Sequence, residues 1–206
     1  PDVRRRGWPY VTIAIIALNV LVFLYAFLAG SLEQTALFYR WGVIPAELTS
    51  GREFTTLLAG SFRLDIASPI PAWGTMFSSM FLHGGFRHII GNMVYLWVFG
   101  DNVEDRLGHG LFLVFYLATG VAAAWTQGLI DRGSQVPMVG ASGAIAGVLG
   151  GYIWLYPKSR INTLTTFFFI TVVRIPAVYL LGFWLVLQVF SWLGSLGGGA
   201  EFSGGT

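Results

Sequence analysis

MVGASGAIAGVLGGYIWLY, from Met138 to Tyr156, contains no charged residue. Its length and composition suit a helix held in a lipid bilayer, yet Ser142 stands near its start between Gly140 and Gly143. Two readings are open. Gly143, Gly147 and Gly151 recur every fourth residue, the small-residue pattern that lets membrane helices approach closely, and Ser142 extends it. Alternatively, Gly140-Ala141-Ser142-Gly143 is a turn that offers a hydroxyl nucleophile at a helix start, where free amides point at the same small volume. Four letters alone favour packing, because such short motifs match often by accident.

The rest of the chain decides the class. Of 206 residues, 55% are hydrophobic and 11% charged, against roughly a quarter charged in a soluble domain. This is the composition of an integral membrane protein in a lipid bilayer. The net charge of +2 is too small to argue for nucleic acid as a partner. Without cysteine there is neither a disulfide framework nor a thiolate nucleophile.

Spans are placed where charge disappears for about 20 residues. The first is 9–28, preceded by Arg4-Arg5-Arg6; a signal-peptide reading is set aside because the uncharged run from Gly7 to Leu32 is long enough to cross. Further spans are 110–130, 137–156 and 167–196, the last entered through the apolar TTFFFITVV. The 13 uncharged residues from His88 to Gly100 would rise only about 20 Å as a helix, so this span is extended to 84–106. The uncharged run from Ile66 to Phe86 is broken by SPIPAWG and Gly84-Gly85 and is left in a long loop, 29–83. The expected fold is therefore all-α: one domain over 1–206, a polytopic helix bundle with five spans.

Seven Lys and Arg residues, Arg4, Arg5, Arg6, Arg106, Lys158, Arg160 and Arg174, fall on one side and five on the other, mostly in the long loop. Long loops count for less, so the first side, with the N-terminus, reads as cytoplasmic. Ser142 then lies a few residues into the membrane from the outer surface.

Polar residues within spans are the default place to look for function. In HGGFRHIIGN, His88 and Asn92 are four residues apart and project from one helical face; both donate hydrogen bonds. With Ser142 they supply what acyl transfer requires, a hydroxyl nucleophile and donors for a developing oxyanion. Taken alone, the pair reads as an interhelical hydrogen bond, and His83 as a solvated or loop-bracing residue. No metal site is expected, since His83, His88 and His109 form no ligand pattern and His109 belongs to the other end of the span. The acidic run GDNVEDRLG reads as a helix-ending ion-pair and capping cluster.

FLHGGFRHIIGNMVYLWVFGDNVEDRLG, Phe81 to Gly108, followed by GASGAIAG, Gly140 to Gly147, resembles the rhomboid family of intramembrane serine proteases. WGVIPAELTSG and RIPAVYLLGFWLVLQ extend the similarity from Trp41 to Gln188. The resemblance implies a serine at the bottom of a water-filled depression that opens outward, with transmembrane-helix proteins as substrates and no cofactor. It assigns Ser142 as nucleophile. His88, Asn92 and the Ser142 amide become the oxyanion hole, with His83, Gly140 and Gly143 in support, and Glu104 and Arg106 a structural polar cluster. It also implies a bacterial plasma (inner) membrane.

One departure stands out: the family's general base is a histidine on a sixth helix, and no histidine follows His109 here. The expectation is a fragment of an active parent, cut before that helix and itself inactive. Two alternatives are carried forward, a non-proteolytic binder of membrane helices and a small transporter or channel.

Overall fold

The computed structural model describes residues 1–3, 7–59, 62–165 and 171–197. The Arg4-Arg5-Arg6 cluster, residues 166–170 at the expected entry to the last span, and the glycine-rich tail from 198 onward lie outside the described residues. The chain is mostly helical. In order come α1 (Tyr10–Leu28), α2 (Ser31–Trp41), α3 (Pro45–Ser50), a hairpin of β1 (Thr56–Ala59) and β2 (Phe62–Asp65), and α4 (Ala72–Ser78) with a 3₁₀ turn at Ser79–Phe81. Then follow α5 (Phe86–Tyr95), a π-helical turn (Leu96–Gly100) and α6 (Asp101–Leu107), which together make one unbroken helical run. α7 (His109–Ile130), α8 (Ser142–Leu155), a second hairpin of β3 (Arg160–Thr165) and β4 (Thr171–Pro176), and α9 (Ala177–Gly197) complete the order.

Of the described helices, α1 and α7 are long and apolar enough to cross a membrane unaided, and α8 is a shorter apolar helix. The last helix starts at Ala177, not at 167. Thr171–Pro176 is a strand paired antiparallel with Arg160–Thr165, as the concentration of Thr, Val and Ile there favours. The uncharged stretch before α5 is likewise no single helix, because α4 and the 3₁₀ turn end in extended chain through Gly84-Gly85.

α8 lies at the centre of the bundle. Ala144, Ile145, Val148, Leu149 and Tyr152 are buried in the core, and Gly143, Gly147 and Gly151 face α7. A Cβ placed on Gly143 would meet Ala123, one on Gly147 would meet Thr119, and one on Gly151 would lie 3.2 Å from the Phe115 ring. Each step of four along α8 is answered by a step of four back along α7, so the pair is antiparallel and in fixed register. Close approach also lets Thr119 Oγ1 face the Ala144 carbonyl at 3.4 Å. Gly147→Val is expected to destabilise the fold by about 2 kcal/mol or more through overpacking, while Gly150→Ala, with nothing within 4 Å, is near neutral. Thermal melting of both variants in detergent checks this; equal melting points would show that α7 yields without cost.

The opposite end of the bundle is fastened by one carboxylate. The first amides of α1 have no capping side chain of their own, and Glu104 on α6 supplies one. Its Oε2 accepts from Thr12 N at 2.7 Å and Thr12 Oγ1 at 2.6 Å, and its Oε1 accepts from Val11 N at 2.9 Å and lies 2.6 Å from His109 Nδ1. A negative group at a helix N-terminus is favoured by the dipole and the free N–H groups. Glu104 is 1% exposed, and burying so polar a group is tolerated because its oxygens are hydrogen-bonded. The acidic run thus caps a different helix from the one that carries it. Arg106 does not join this cluster; it is exposed and takes part in no described ion pair.

Candidate active site

Ser142 is the first residue of α8, and its N-cap, Ala141, has no side chain able to cap. The first amides of α8 have no hydrogen-bond partner among the described residues; the earliest backbone bond of the helix runs from Ile145 N to Ala141 O. The loop that delivers Ser142 is held from both sides. Val43 and Met138 exchange two backbone bonds of 3.0 and 2.7 Å, Ala46 N donates to Ser134 O, and Gly140 N donates to the Ser79 carbonyl at 2.9 Å. The long loop thereby positions the start of α8 from nearly a hundred residues away.

Gly140 joins the two polar clusters. Its φ of +128° suits glycine, and any side chain would also collide with α5. A Cβ there would stand 2.7 Å from His88 Cε1 and Nε2, and 3.9 Å from Asn92 Nδ2. His88 and Asn92 lie one turn apart on α5, so both reach the loop just before Ser142. Asn92 is 5% exposed, and its Nδ2 is buried without a hydrogen-bond partner among the described residues. A buried amide donor is costly to leave unpaired; this one is aimed at the backbone leading into the serine.

His83 precedes α5 and is 1% exposed, with its ring edge-on to His88 at a centroid distance of 5.0 Å. Burial, then the neighbouring His88, pushes the His83 imidazole down to about 4, against a weaker opposing contribution from the Phe81 backbone. It is neutral at neutral pH and packs as a polar ring beneath His88.

A cavity of about 610 Å³ opens beside Ser142, bordered by Gly143, Gln127, Pro137, Trp184 and Gln188. Gly140 and Ser142 lie on its wall, whereas His88 and Asn92 do not line it and meet the loop at Gly140. The arrangement combines a hydroxyl on a helix start, uncommitted amides, a buried amide donor beside them, and room for a chain.

Of the residues singled out in the sequence, Ser142, Gly140, His88, Asn92 and His83 gather in one place, and Gly143 forms the α7 contact and borders the cavity. Glu104 and Arg106 are elsewhere. Among the described residues no group of His, Asp and Glu is arranged to hold a metal ion. Ser79, whose carbonyl fixes Gly140, and the Val43–Met138 bridge had no signature in the sequence, because a backbone acceptor can be any residue. Trp184 and Gln188 were legible only as part of an apolar helix.

Residues 71–201 match the Rhomboid domain family. The chain is 28% identical over 156 residues to "Rhomboid protease GluP" of Bacillus subtilis, covering 76% of this chain and 26% of that one. It is 32% identical over 149 residues to "Presenilin-associated rhomboid-like protein, mitochondrial" of Homo sapiens, 71% and 33% covered. To "Rhomboid protease GlpG" of Salmonella paratyphi A it is 29% identical over 133 residues, 62% and 43% covered. The chain thus spans between about a quarter and less than half of the length of these relatives.

Proposed function

The chain belongs to the rhomboid family of integral membrane proteins, and from that premise we propose that it carries the serine half of an intramembrane protease acting on transmembrane segments of other proteins. The observation that carries this reading is the approach at Gly140: His88 and Asn92 of α5 face the residue two before Ser142, where a Cβ would collide with the His88 ring, at the start of α8.

In the proposed reaction the Ser142 hydroxyl proton passes to a base as Oγ attacks the scissile carbonyl carbon. The resulting oxyanion is held by the Ser142 amide, Asn92 Nδ2 and a ring N–H of His88. Collapse expels the amine, which takes the proton, and water then releases the acyl group from Oγ. His109 is bound to Glu104 at the far end of the α5–α6 run, and His88 with its neighbour His83 is assigned to the oxyanion side. None of these is proposed as the base, and the family resemblance implies a histidine on a further helix in that role. The five spans, the outward-facing site, the cytoplasmic N-terminus and the bacterial plasma membrane belong to the same proposal. Support for a lipid setting comes from the apolar α1 and α7 and from large exposed apolar side chains such as Leu21, Leu28, Val114 and Trp154.

A fluorophosphonate, whose phosphorus is attacked like a strained carbonyl, tests the assignment on the full-length protein in proteoliposomes. One adduct is expected, on the peptide holding Ser142. Labelling at another serine moves the nucleophile, and no labelling under conditions that modify a control serine protease leaves recognition of membrane helices without hydrolysis as the better reading.

A further inference from the structure

The hairpin between α8 and α9 is not used by the site. It emerges at the end of α8 opposite Ser142 and is closed at its base by Ala177 N donating to Ser159 O. In its register Ile161 pairs with Ile175, Asn162 with Arg174, and Arg160 with Pro176. Side chains alternate faces along a strand, so Ile161, 5% exposed, turns into the core, while Arg160, Asn162, Arg174 and Val172 share the other face and are all exposed.

Arg160 and Arg174 are diagonal neighbours on that face, about 7–8 Å apart in such a ladder. Lys158 stands just before β3 and is also exposed. Like charges placed together are unfavourable without a counter-ion, and the chain supplies little. From Gly133 to Ala200 there is no Asp or Glu. Among the described residues the side-chain ion pairs are Arg40–Glu33 and His109–Glu104, and none of these three cations enters one. The acidic side chain hydrogen-bonded to the hairpin is Asp2, whose Oδ1 accepts from Arg160 N at 3.1 Å, one carboxylate against three cations.

We propose that the exposed face of the β3–β4 hairpin binds the phosphate groups of anionic phospholipids, with Arg160 and Arg174 bridging one headgroup and Lys158 beside them. The hairpin is bounded by the last residue of one apolar helix, Leu155, and the first of another, Ala177, which puts it at the level of the headgroups. A bidentate guanidinium suits a phosphate oxygen pair, and juxtamembrane cations gather anionic lipid. Val172, 62% exposed on the same face, adds an apolar contact with the acyl boundary. This inference needs the protein to lie in a bilayer and is independent of the role of Ser142.

The test is native mass spectrometry of the full-length protein released from micelles containing equal amounts of phosphatidylglycerol and phosphatidylcholine. The unaltered protein retains phosphatidylglycerol in preference, and Arg160→Gln/Arg174→Gln lowers that preference about tenfold or more. Arg52→Gln/Arg63→Gln, the same change of charge in the long loop, leaves it unaltered. Equal loss in both variants would mean that overall charge governs retention, and no loss in either would mean that the hairpin holds no lipid; both overturn the proposal. Arg160→Lys/Arg174→Lys keeps the charge and is expected to keep most of the preference; its loss alongside unchanged circular dichroism would replace headgroup binding with a packing role. Displacement of the lipid by glycerol phosphate at millimolar concentration would assign the site to a soluble phosphate and also overturn it.

Discussion

Ser142→Ala in the full-length protein is expected to reduce cleavage of a transmembrane substrate to background, a loss on the order of 10⁵-fold or more in kcat, as for removal of a serine nucleophile in other proteases. Stability should hardly move. The Ser142 hydroxyl makes no described hydrogen bond, the N-cap position is Ala141, and the residue is only half-buried; loss of a hydroxyl in such a place lies within about 1 kcal/mol. That separation matters, because a serine serving as a small packing residue predicts the reverse: alanine is as small and as apolar, so activity would survive. The measurement is cleavage of a labelled single-span substrate in proteoliposomes, paired with thermal melting. Retained turnover by the purified variant would remove Ser142 from the chemistry.

Asn92→Ala should lower kcat by about 10²–10³-fold, the usual cost of one oxyanion donor, with KM changed little. Here too stability separates the readings. Because Asn92 Nδ2 is buried without a partner among the described residues, truncation removes an unsatisfied donor and need not weaken the fold. An asparagine retained for an interhelical hydrogen bond would instead lower the melting point and spare kcat. Asn92→Asp sharpens the contrast, since it places an acceptor, and charge if ionised, where negative charge develops; it should be at least as inactive as alanine. A rise in KM with unchanged kcat in either variant would move Asn92 from transition-state stabilisation to substrate binding.

Much of the bundle could be read from local pattern. Charge-free runs located α1, α7 and α8 to within a few residues, and the four-residue recurrence of Gly143, Gly147 and Gly151 announced a close helix contact whose partner, α7, appeared only in three dimensions. Misreadings occurred where apolar content was taken without period. TTFFFITVV is apolar enough for a helix entry, yet its described residues are β-branched and pair as strands. The five-residue π turn at Leu96–Gly100 carries no signature either; Gly100 lies against Thr12 and Leu96, a packing demand set by another helix. Glu104 showed the same limit. Its charge was visible, but its partners Val11 and Thr12 lie more than ninety residues away, whereas the family resemblance implies Arg106 as its companion. For the site, residue types and their spacing on α5 were legible. The meeting at Gly140 was not, because it depends on the backbone of Ser79 and on a positive φ.

The glycine stripe on α8 also acts as a depth gauge. With Gly143 set against Ala123, Ser142 stands level with Ala124, six residues short of the end of α7 at Ile130, which is about 9 Å along the axis. α8 itself has 14 residues and rises only about 21 Å, too little to fix its own height in a bilayer of about 30 Å. The height of the Ser142 hydroxyl relative to the end of α7 is thus set by the α7–α8 register, and a one-turn slip between the two helices would shift the serine by about 5.4 Å.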